Sequence, residues 1–349
     1  MNGIDPAAAN ERMRFSLFSV CDHHPALPRT VPELYEQLLD EAVLGESLGY
    51  DTFFVAEHHF HEYGVIPDPA VFLATLAART SRLRLGTGIS VLTFHDPKRV
   101  AETYAMLDLL SGGRLMYGVG SGYLAHEFEG HARDPARKRD QFNENLEIVK
   151  KLLAGETLTY DGEFSSGRNV RLNVRPHGDR VPPMYVGVLA RPAAYWVGRQ
   201  HNNLFTVPYA SCEDFDDIGT MIAEFRKGQA EEGIAPSDDD HIVTLHTHVA
   251  ESDDACAARI CDAYDLYVAT RLYAQSHTYD DIIANGICLF GSAETVADKM
   301  VRLYEMGVRH VSCLYNFGGM TTEVASDSVR RFAQDVMPMV RERIGVAAA

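Results

Sequence analysis

Residues 51–60, DTFFVAEHHF, join a short apolar run to a dense group of titratable side chains. Phe53, Phe54 and Val55 favour a buried strand, and Gly49 just upstream is typical of the end of a preceding helix. Five acidic or imidazole side chains come next, those of Glu57, His58, His59, His61 and Glu62. Because parallel α/β folds carry their chemistry at the carboxyl ends of strands, this stretch predicts part of an active site.

Strands and helices alternate on both sides of this stretch. Residues 13–20 alternate apolar and polar side chains and predict a strand, while residues 31–48 carry apolar side chains at helical spacing. Further strands are expected at residues 83–92, 114–119, 184–188, 204–208, 241–250 and 309–314. With helices between them and no break in composition, about eight strand–helix units predict an α/β fold, a (β/α)₈ TIM barrel that forms one domain over residues 13–345.

Two segments depart from this alternation. Residues 157–181 alternate in the manner of β-strands and contain Asp-Gly and Ser-Gly turns, which predicts a hairpin insertion. Residues 275–289 show no clear periodicity. Since long irregular segments in compact domains are often functional, this second segment is a candidate lid over the mouth of the barrel.

The composition argues against several classes of protein. The 349 residues are 46% hydrophobic and 23% charged, enough to bury a large core. A formal net charge of -17 argues against a nucleic-acid partner, which needs a concentrated basic face. With no apolar run of bilayer length and no signal-peptide pattern, we expect no membrane association. Six scattered cysteines without a CxxC pair indicate reduced thiols in a cytoplasmic protein.

Three interpretations of the titratable cluster are open. Its side chains can satisfy one another at the edge of the core. They can bind a metal, because His59 and His61 stand two apart as in some barrel metallohydrolases. The later strand ends offer Gly, Ser and Thr rather than further ligands, so we predict no metal. In the third interpretation, a histidine near its own pKa handles a proton or stabilises an anion beside an organic cofactor.

Glycines follow or interrupt two other strands. Residues 118–122, GVGSG, would let backbone N–H groups approach a phosphate or a ring system, although their spacing is not that of the GxGxxG dinucleotide fingerprint. Residues 86–89, GTGI, lie within a strand, where glycines indicate a bulge, a close ligand or tight packing. After the next strand, Arg191 either meets a phosphate or is a solvated surface residue.

Aromatic and imidazole side chains predict the substrate pocket. His246 and His248 alternate on one face of a late strand, so both point the same way. They either line the barrel interior near its mouth or are satisfied core histidines. A partly aromatic, mid-sized organic substrate would suit the predicted pocket residues, which are Tyr63, Phe94, His95, Tyr123, His246 and Tyr273.

Several motifs, taken together and in order, resemble those of the bacterial luciferase-like flavin monooxygenases. The resemblance covers most of residues 13–196 and returns at about residues 289–311. The motifs are MRFSLFSV at 13–20, GYDT at 49–52, AEHHF at 56–60, EYG at 62–64, LGTG at 85–88, LDLLSGGR at 107–114, GVGSG at 118–122, EF at 127–128, FGS at 290–292 and GV at 307–308.

The resemblance implies a (β/α)₈ barrel, often dimeric, that binds reduced FMN at its C-terminal mouth. Such enzymes react the flavin with O2 and use the resulting flavin hydroperoxide to oxygenate a small organic substrate. His58 matches the family's catalytic histidine and would act as a general base or stabilise the hydroperoxide, with His59 and Glu57 holding it in place. Gly88 and Ile89 match a position where the luciferase subunit bends a non-proline peptide under the isoalloxazine ring.

The implied cofactor contacts depart from the luciferase pattern. Ser121 stands where the pattern has a phosphate-binding arginine, Leu189 and Ala190 replace acidic and hydroxyl residues, and Gly120 replaces a cysteine near the reactive edge of the flavin. We therefore expect backbone N–H groups around Ser121 to hold the phosphate with help from Arg191, and we do not expect light emission from an aldehyde. The implied cofactor-binding set is Gly88, Ile89, Gly120, Ser121, Gly122, Tyr123, Leu189, Ala190 and Arg191.

The chain carries no nicotinamide-binding fingerprint, so we expect reduced flavin to come from a separate NAD(P)H:flavin reductase. Three alternatives stay open. A deazaflavin could replace FMN for hydride transfer, with the DHH loop at residues 22–24 facing its reactive edge. The second is a metal-dependent barrel hydrolase built on His59 and His61. The third is a catalytically silent flavin-binding subunit, which the presence of the Glu57-His58-His59 cluster disfavours.

Overall fold

The computed structural model describes residues 13–62, 64–271 and 277–347, in which strands and helices alternate. The strands are β1 (Arg14–Ser19), β2 (Thr52–Val55), β3 (Arg84–Val91), β4 (Leu115–Gly120), β5 (Leu158–Asp161), β6 (Ser166–Val170), β7 (Met184–Val188), β8 (Asn203–Thr206), β9 (His241–Ala250), β10 (Cys288–Ser292) and β11 (His310–Asn316). The α-helices are α1 (Val31–Leu48), α2 (Pro69–Arg79), α3 (Pro97–Ser111), α4 (Ala125–Gly130), α5 (Lys138–Leu153), α6 (Arg191–Arg199), α7 (Pro208–Ser211), α8 (Asp217–Glu231), α9 (Asp253–Ala269), α10 (Tyr279–Asn285), α11 (Ala293–Glu305), α12 (Thr322–Arg331) and α13 (Met337–Ala347).

Eight parallel strands close into a barrel within the described residues. Their order is β1-β2-β3-β4-β7-β8-β9-β11, and β11 pairs with β1 to complete the circuit. Helices connect successive strands and surround the sheet. This closed parallel sheet confirms the predicted (β/α)₈ TIM barrel.

The stretch at residues 51–60 supplies the second barrel strand. All four residues of β2 are buried, as is usual for a parallel strand covered on both faces. Phe53 pairs with Leu17 of β1 on one side and with Leu85 of β3 on the other. β2 therefore ends at the carboxyl edge of the sheet and delivers residues 56–59 there.

Local sequence signals set the ends of the helices that return the chain to the next strand. At the start of α1, the Glu33 N–H donates to Thr30 Oγ1 at 3.4 Å, and the Thr30 N–H donates to the Glu33 carboxylate at 2.8 Å. Gly49 ends this helix with a left-handed φ of 85°, which glycine adopts without steric cost. Among the helices of the described ranges, none is both long and apolar enough to cross a bilayer.

The predicted lid at residues 275–289 needs a correction at its C-terminal end. Its first two residues lie outside the described part of the chain, α10 occupies its middle, and Cys288 and Leu289 belong to β10. The sequence does not predict β10, because CLFGS is short and shows neither alternation nor a long apolar run. The strand pairs with the C-terminal half of β9 and lies outside the closed circuit of eight strands.

β9 is ten residues long and pairs with different strands along its length. Residues 241–243 pair with β8, residues 246–250 pair with β10, and residues 243–246 pair with β11. Because β11 occupies one edge of β9, β8 and β10 follow one another along the opposite edge. The C-terminal half of β9 thus pairs with a strand, β10, that is not part of the barrel.

The segment at residues 157–181 contains an antiparallel pair, β5 and β6, separate from the barrel sheet. Glu144 of α5 holds the turn between these strands. Its carboxylate accepts the backbone N–H groups of Glu163, Phe164 and Ser165 at 2.8, 3.1 and 2.8 Å. The pair is therefore anchored to a helix and not to a barrel strand.

Candidate active site

A cavity of about 510 Å³ opens at the carboxyl ends of the barrel strands. This volume is in the range of small-molecule and cofactor sites. Barrel closure brings eleven of the predicted site residues into its wall, namely Glu57, His58, Gly88, Ile89, Gly120, Ser121, Gly122, Tyr123, Leu189, Ala190 and His246.

Four other predicted site residues lie outside the cavity wall, namely His59, Phe94, His95 and Arg191. Tyr63 and Tyr273 fall outside the described residues. Aromatic side chains that the sequence does not single out contribute to the wall instead, among them Phe18, Phe205, Tyr209 and Tyr267.

His58 is held by Glu127, which lies 69 residues further along the chain. The Nδ1–H of His58 donates to Glu127 Oε1 at 3.0 Å, and the same oxygen accepts the backbone N–H of His59 at 3.0 Å. Glu127 is 1% exposed and lies in α4, the short helix after β4. The side chain that orients His58 is therefore Glu127, whereas the sequence predicts Glu57 and His59.

This pair sets the chemistry of the His58 imidazole. Because a carboxylate only accepts hydrogen bonds, Nδ1 carries the proton, and in the neutral ring Nε2 carries the lone pair. Burial lowers the pKa of His58, and the hydrogen bond to Glu127 opposes that decrease. The ring is thus kept neutral and oriented, which is the state required of a general base.

Glu57 joins two imidazoles beside the cavity. Its Oε1 accepts hydrogen bonds from Nε2 of His59 at 3.1 Å and from Nε2 of His95 at 2.7 Å, and its Oε2 accepts the backbone N–H of Val91 at 3.1 Å. Burial acts to raise the pKa of Glu57, but the bonds from His59 and His95 lower it to about 2. Glu57 is therefore an anion that ties the loop after β2 to the loop after β3.

Ile89 packs against glycines in the cavity wall. A cis peptide bond joins Gly88 to Ile89. A Cβ atom at Gly120 would lie 2.6 Å from Ile89 Cδ1, and one at Gly187 would lie 3.0 Å from Ile89 Cγ2. Glycine in this part of β4 and β7 therefore leaves room for the Ile89 side chain, which a Cβ atom at either position would crowd, and the wall is apolar there.

His246 lies among aromatic rings in the cavity wall. The ring centroids of Tyr209, Tyr264 and Tyr267 are 5.2, 5.4 and 5.1 Å from that of His246. Burial and the nearby Arg271 lower the pKa of His246 to about 3. Its Nε2 has no hydrogen-bond partner among the described residues. His246 is therefore a neutral polar group that can bind a ligand in an otherwise aromatic region.

Cationic side chains near the glycine-rich turn differ from the one that the sequence predicts. Arg191 is paired with Asp217, with Nη2 and Oδ1 2.5 Å apart, and it lies outside the cavity wall. Lys138 and Arg139, at the start of α5, both line the cavity. The Nζ of Lys138 donates to the carbonyl oxygen of Gly122 at 3.0 Å. The structure thus places Lys138 beside this turn and Arg139 in the wall of the same cavity, whereas Arg191 is neutralised by Asp217.

The sequence assigns no role to Glu127, Lys138 or Arg139. Glu127 lies in one of the motifs that carry the family resemblance, and that motif is the signal that could have singled it out. Lys138 and Arg139 belong to no such motif. The position of Lys138 beside Gly122 depends on how the chain folds back between α4 and α5.

Solved structures of other proteins share this architecture. The monooxygenase RslO1 from Streptomyces bottropensis superimposes with a TM-score of 0.87 at 28% identity, covering 93% of this chain and 99% of that one. The oxygenating constituent of the type II Baeyer–Villiger enzyme 3,6-diketocamphane monooxygenase from Pseudomonas putida, in complex with FMN, gives 0.81 at 18% identity, with coverages of 94% and 98%. An F420-dependent secondary alcohol dehydrogenase gives 0.73 at 18% identity, with coverages of 95% and 99%.

The two structures at 18% identity establish the shared fold alone. The family itself is established by a sequence model described as luciferase-like monooxygenase, which matches residues 13–310. That match includes β1 to β10 and the loops that carry His58 and Glu127. The chain belongs to the luciferase-like monooxygenase family.

Proposed function

We propose that the protein is a monooxygenase that binds reduced FMN in the cavity and uses O2 to oxygenate a small organic substrate. One observation carries the proposal: the buried His58–Glu127 pair stands in the wall of a cavity built mostly from apolar side chains and glycines. The family supports the class of reaction, and the FMN in the diketocamphane monooxygenase supports the cofactor. Bound FMN would supply the reactivity toward O2.

The described residues fit this cofactor in three respects. Phe18, Ile89 and Phe205 give the cavity an apolar wall that would exclude water from a ring system. Nε2 of His58 would accept a proton beside that ring. Lys138, with Arg139 next to it, would supply the positive charge that a phosphate needs. In the luciferase pattern an arginine has this role, and Ser121 stands at that position here.

Stopped-flow absorbance tests this proposal directly. Reduced FMN would be mixed anaerobically with the protein and then with oxygenated buffer. We expect a transient absorbance that outlives the reoxidation of free reduced FMN under the same conditions, because the apolar cavity excludes water from the flavin. A trace that matches free reduced FMN would count against the monooxygenase.

Replacing Lys138 with alanine is expected to weaken the binding of reduced FMN by about 10- to 150-fold, since a hydrogen bond to a charged group contributes about 1.5–3 kcal/mol. Arg191→Ala is the matched control, because Arg191 is paired with Asp217 outside the cavity. An anaerobic titration followed by flavin absorbance measures both affinities. Equal losses in the two variants, or an unchanged affinity in Lys138→Ala, would contradict the phosphate assignment.

A deazaflavin is the alternative cofactor, favoured by the fold shared with the F420-dependent alcohol dehydrogenase. Such a cofactor transfers a hydride and needs no O2, so an anaerobic assay separates the two functions. Binding of reduced deazaflavin with hydride transfer in the absence of O2, together with no transient from reduced FMN, would favour this alternative. The reverse pattern would exclude it.

We also propose a separate NAD(P)H:flavin reductase as the source of reduced FMN, a homodimer and a cytoplasmic location. Support for the homodimer comes from Val71 of α2 and from Met106 and Leu110 of the neighbouring α3, which are apolar and more than half exposed. The free thiols of all six cysteines are in keeping with a reducing compartment. Light scattering that reports a monomeric mass would rule out the dimer.

A further inference from the structure

Three potential metal ligands from two loops converge beside the cavity. Glu57 and His59 follow β2, His95 follows β3, and one ligand atom of each lies within 4.8 Å of the other two. The Nε2 atoms of His59 and His95 both face Oε1 of Glu57, at 3.1 and 2.7 Å. Two imidazoles and a carboxylate are a ligand set typical of Zn²⁺ and related divalent transition metals.

The two separations at Glu57 are close to those of a tetrahedral site. Metal–ligand bonds of about 2.0–2.1 Å at tetrahedral angles place neighbouring ligand atoms about 3.3–3.4 Å apart. The two separations at Glu57 would therefore grow by about 0.3 and 0.6 Å, given the observed 3.1 and 2.7 Å. His95 is partly exposed, so an ion can enter from solvent, whereas Glu57 and His59 are buried and anchored.

A third imidazole lies beside these ligands. The ring centroid of His131 lies 4.6 Å from that of His59 and 6.3 Å from that of His95, and its ring stacks on Phe94 at 4.5 Å. His131 is outside the set of residues whose ligand atoms lie within 4.8 Å of one another, so it is a neighbour of the three ligands and not a ligand in this arrangement.

We propose that Glu57, His59 and His95 bind a divalent transition-metal ion such as Zn²⁺, with water completing the coordination. This site goes beyond the proposed function, because neither imidazole of the site lines the cavity in which oxygenation would take place. The ion would join the loops after β2 and β3 and so stabilise the mouth of the barrel. It differs from the pair predicted for a hydrolase, since the His61 ring lies against that of His126, 5.5 Å away.

Isothermal titration with Zn²⁺ tests the site on the full chain, first stripped with a chelator. We expect one ion per chain, and we expect His95→Gln to weaken binding by more than about 100-fold, the upper limit for loss of an outer-sphere partner. Glutamine can still donate a hydrogen bond to Glu57, so this variant should remain folded.

His61→Ala is the matched control, since His61 lies in the same loop but outside the ligand set. Its affinity for Zn²⁺ should equal that of the unaltered protein. Titration with Co²⁺ adds a second readout, because a tetrahedral site gives intense visible absorption. Failure of the unaltered protein to bind Zn²⁺, or equal affinities in His95→Gln and His61→Ala, would overturn the site. Neither result depends on FMN or on activity, so the proposed function is tested separately.

Discussion

Replacing His58 with alanine is expected to shorten the transient absorbance that follows mixing of reduced FMN, protein and O2 by about 10- to 150-fold, the equivalent of one hydrogen bond to a charged group. His58 is the imidazole of the cavity wall that Glu127 holds in place. With the Nδ1 proton committed to Glu127, Nε2 is the nitrogen that can accept a proton from a bound group. Stopped-flow traces at one pH, fitted to a single decay, provide the measurement.

Two further variants serve as a control and as a second test of the His58–Glu127 pair. His61→Ala removes a neighbouring imidazole outside the cavity and should leave the decay unchanged. Glu127→Gln removes the charge that opposes the effect of burial, so the pKa of His58 should fall further. The pH at which the decay accelerates through protonation of His58 should then move to lower values. An unchanged decay in His58→Ala, or an unmoved pH profile in Glu127→Gln, would show that this pair does not act on the flavin.

The free energy of unfolding is expected to fall as the pH decreases from about 6.5, the pKa of histidine in an unfolded chain. Burial lowers the pKa of His246 and His310 to about 3 and that of His248 to about 4. Between these values and about 6.5, the unfolded chain binds protons that the folded chain does not, and each such histidine costs about 1.4 kcal/mol per pH unit. Acid therefore favours unfolding.

One buried carboxyl group opposes this trend. Burial raises the pKa of Glu41 to about 6, so the folded chain takes up this proton before the unfolded chain does. These four groups alone contribute a loss of about 3 kcal/mol per pH unit between about pH 6 and pH 4.5, and the lowered pKa of His58 acts in the same direction. Urea unfolding at several pH values measures this slope.

His248→Leu is the matched variant for the stability prediction. Both ring nitrogens of His248 lack a hydrogen-bond partner among the described residues, so leucine removes a titrating group without breaking a bond seen there. The slope should decrease by about 1.4 kcal/mol per pH unit, the contribution of one proton. If the slope in His248→Leu matched that of the unaltered protein, burial of this imidazole would not explain the loss.

Much of the barrel could be predicted because parallel strands buried on both faces read as apolar runs. The segments at 184–188 and 241–250 are predicted and observed with the same bounds, as β7 and β9. β10 could not be predicted in this way. Its five residues owe their strand conformation to pairing with the upper half of β9, about forty residues earlier, and such long-range pairing leaves little trace in a short local pattern.

The residues of the candidate site likewise differ in whether local sequence or long-range packing determines their role. His58 could be singled out because it directly follows an apolar strand, and such positions reach the mouth of a barrel. The role of Glu127 could not be predicted, because barrel closure decides which segment contacts His58, and that segment is α4, far along the chain. Arg191 illustrates the converse. Its place after β7 suggests a phosphate ligand, whereas in the structure it forms an ion pair with Asp217, 26 residues later.

The two successive pairings along β9 separate closure of the barrel from attachment of the segment around β10, part of which the sequence predicts as a lid. The circuit of hydrogen bonds runs from β8 through β9 to β11 and does not include β10. The segment around β10 nevertheless reaches the cavity, since the His277 N–H donates to the hydroxyl group of Tyr209, which lines it. Insertions or deletions between α9 and β10 would therefore not interrupt the strand pairing that closes the barrel. Such a chain can acquire new substrates through changes in this segment while the barrel is retained.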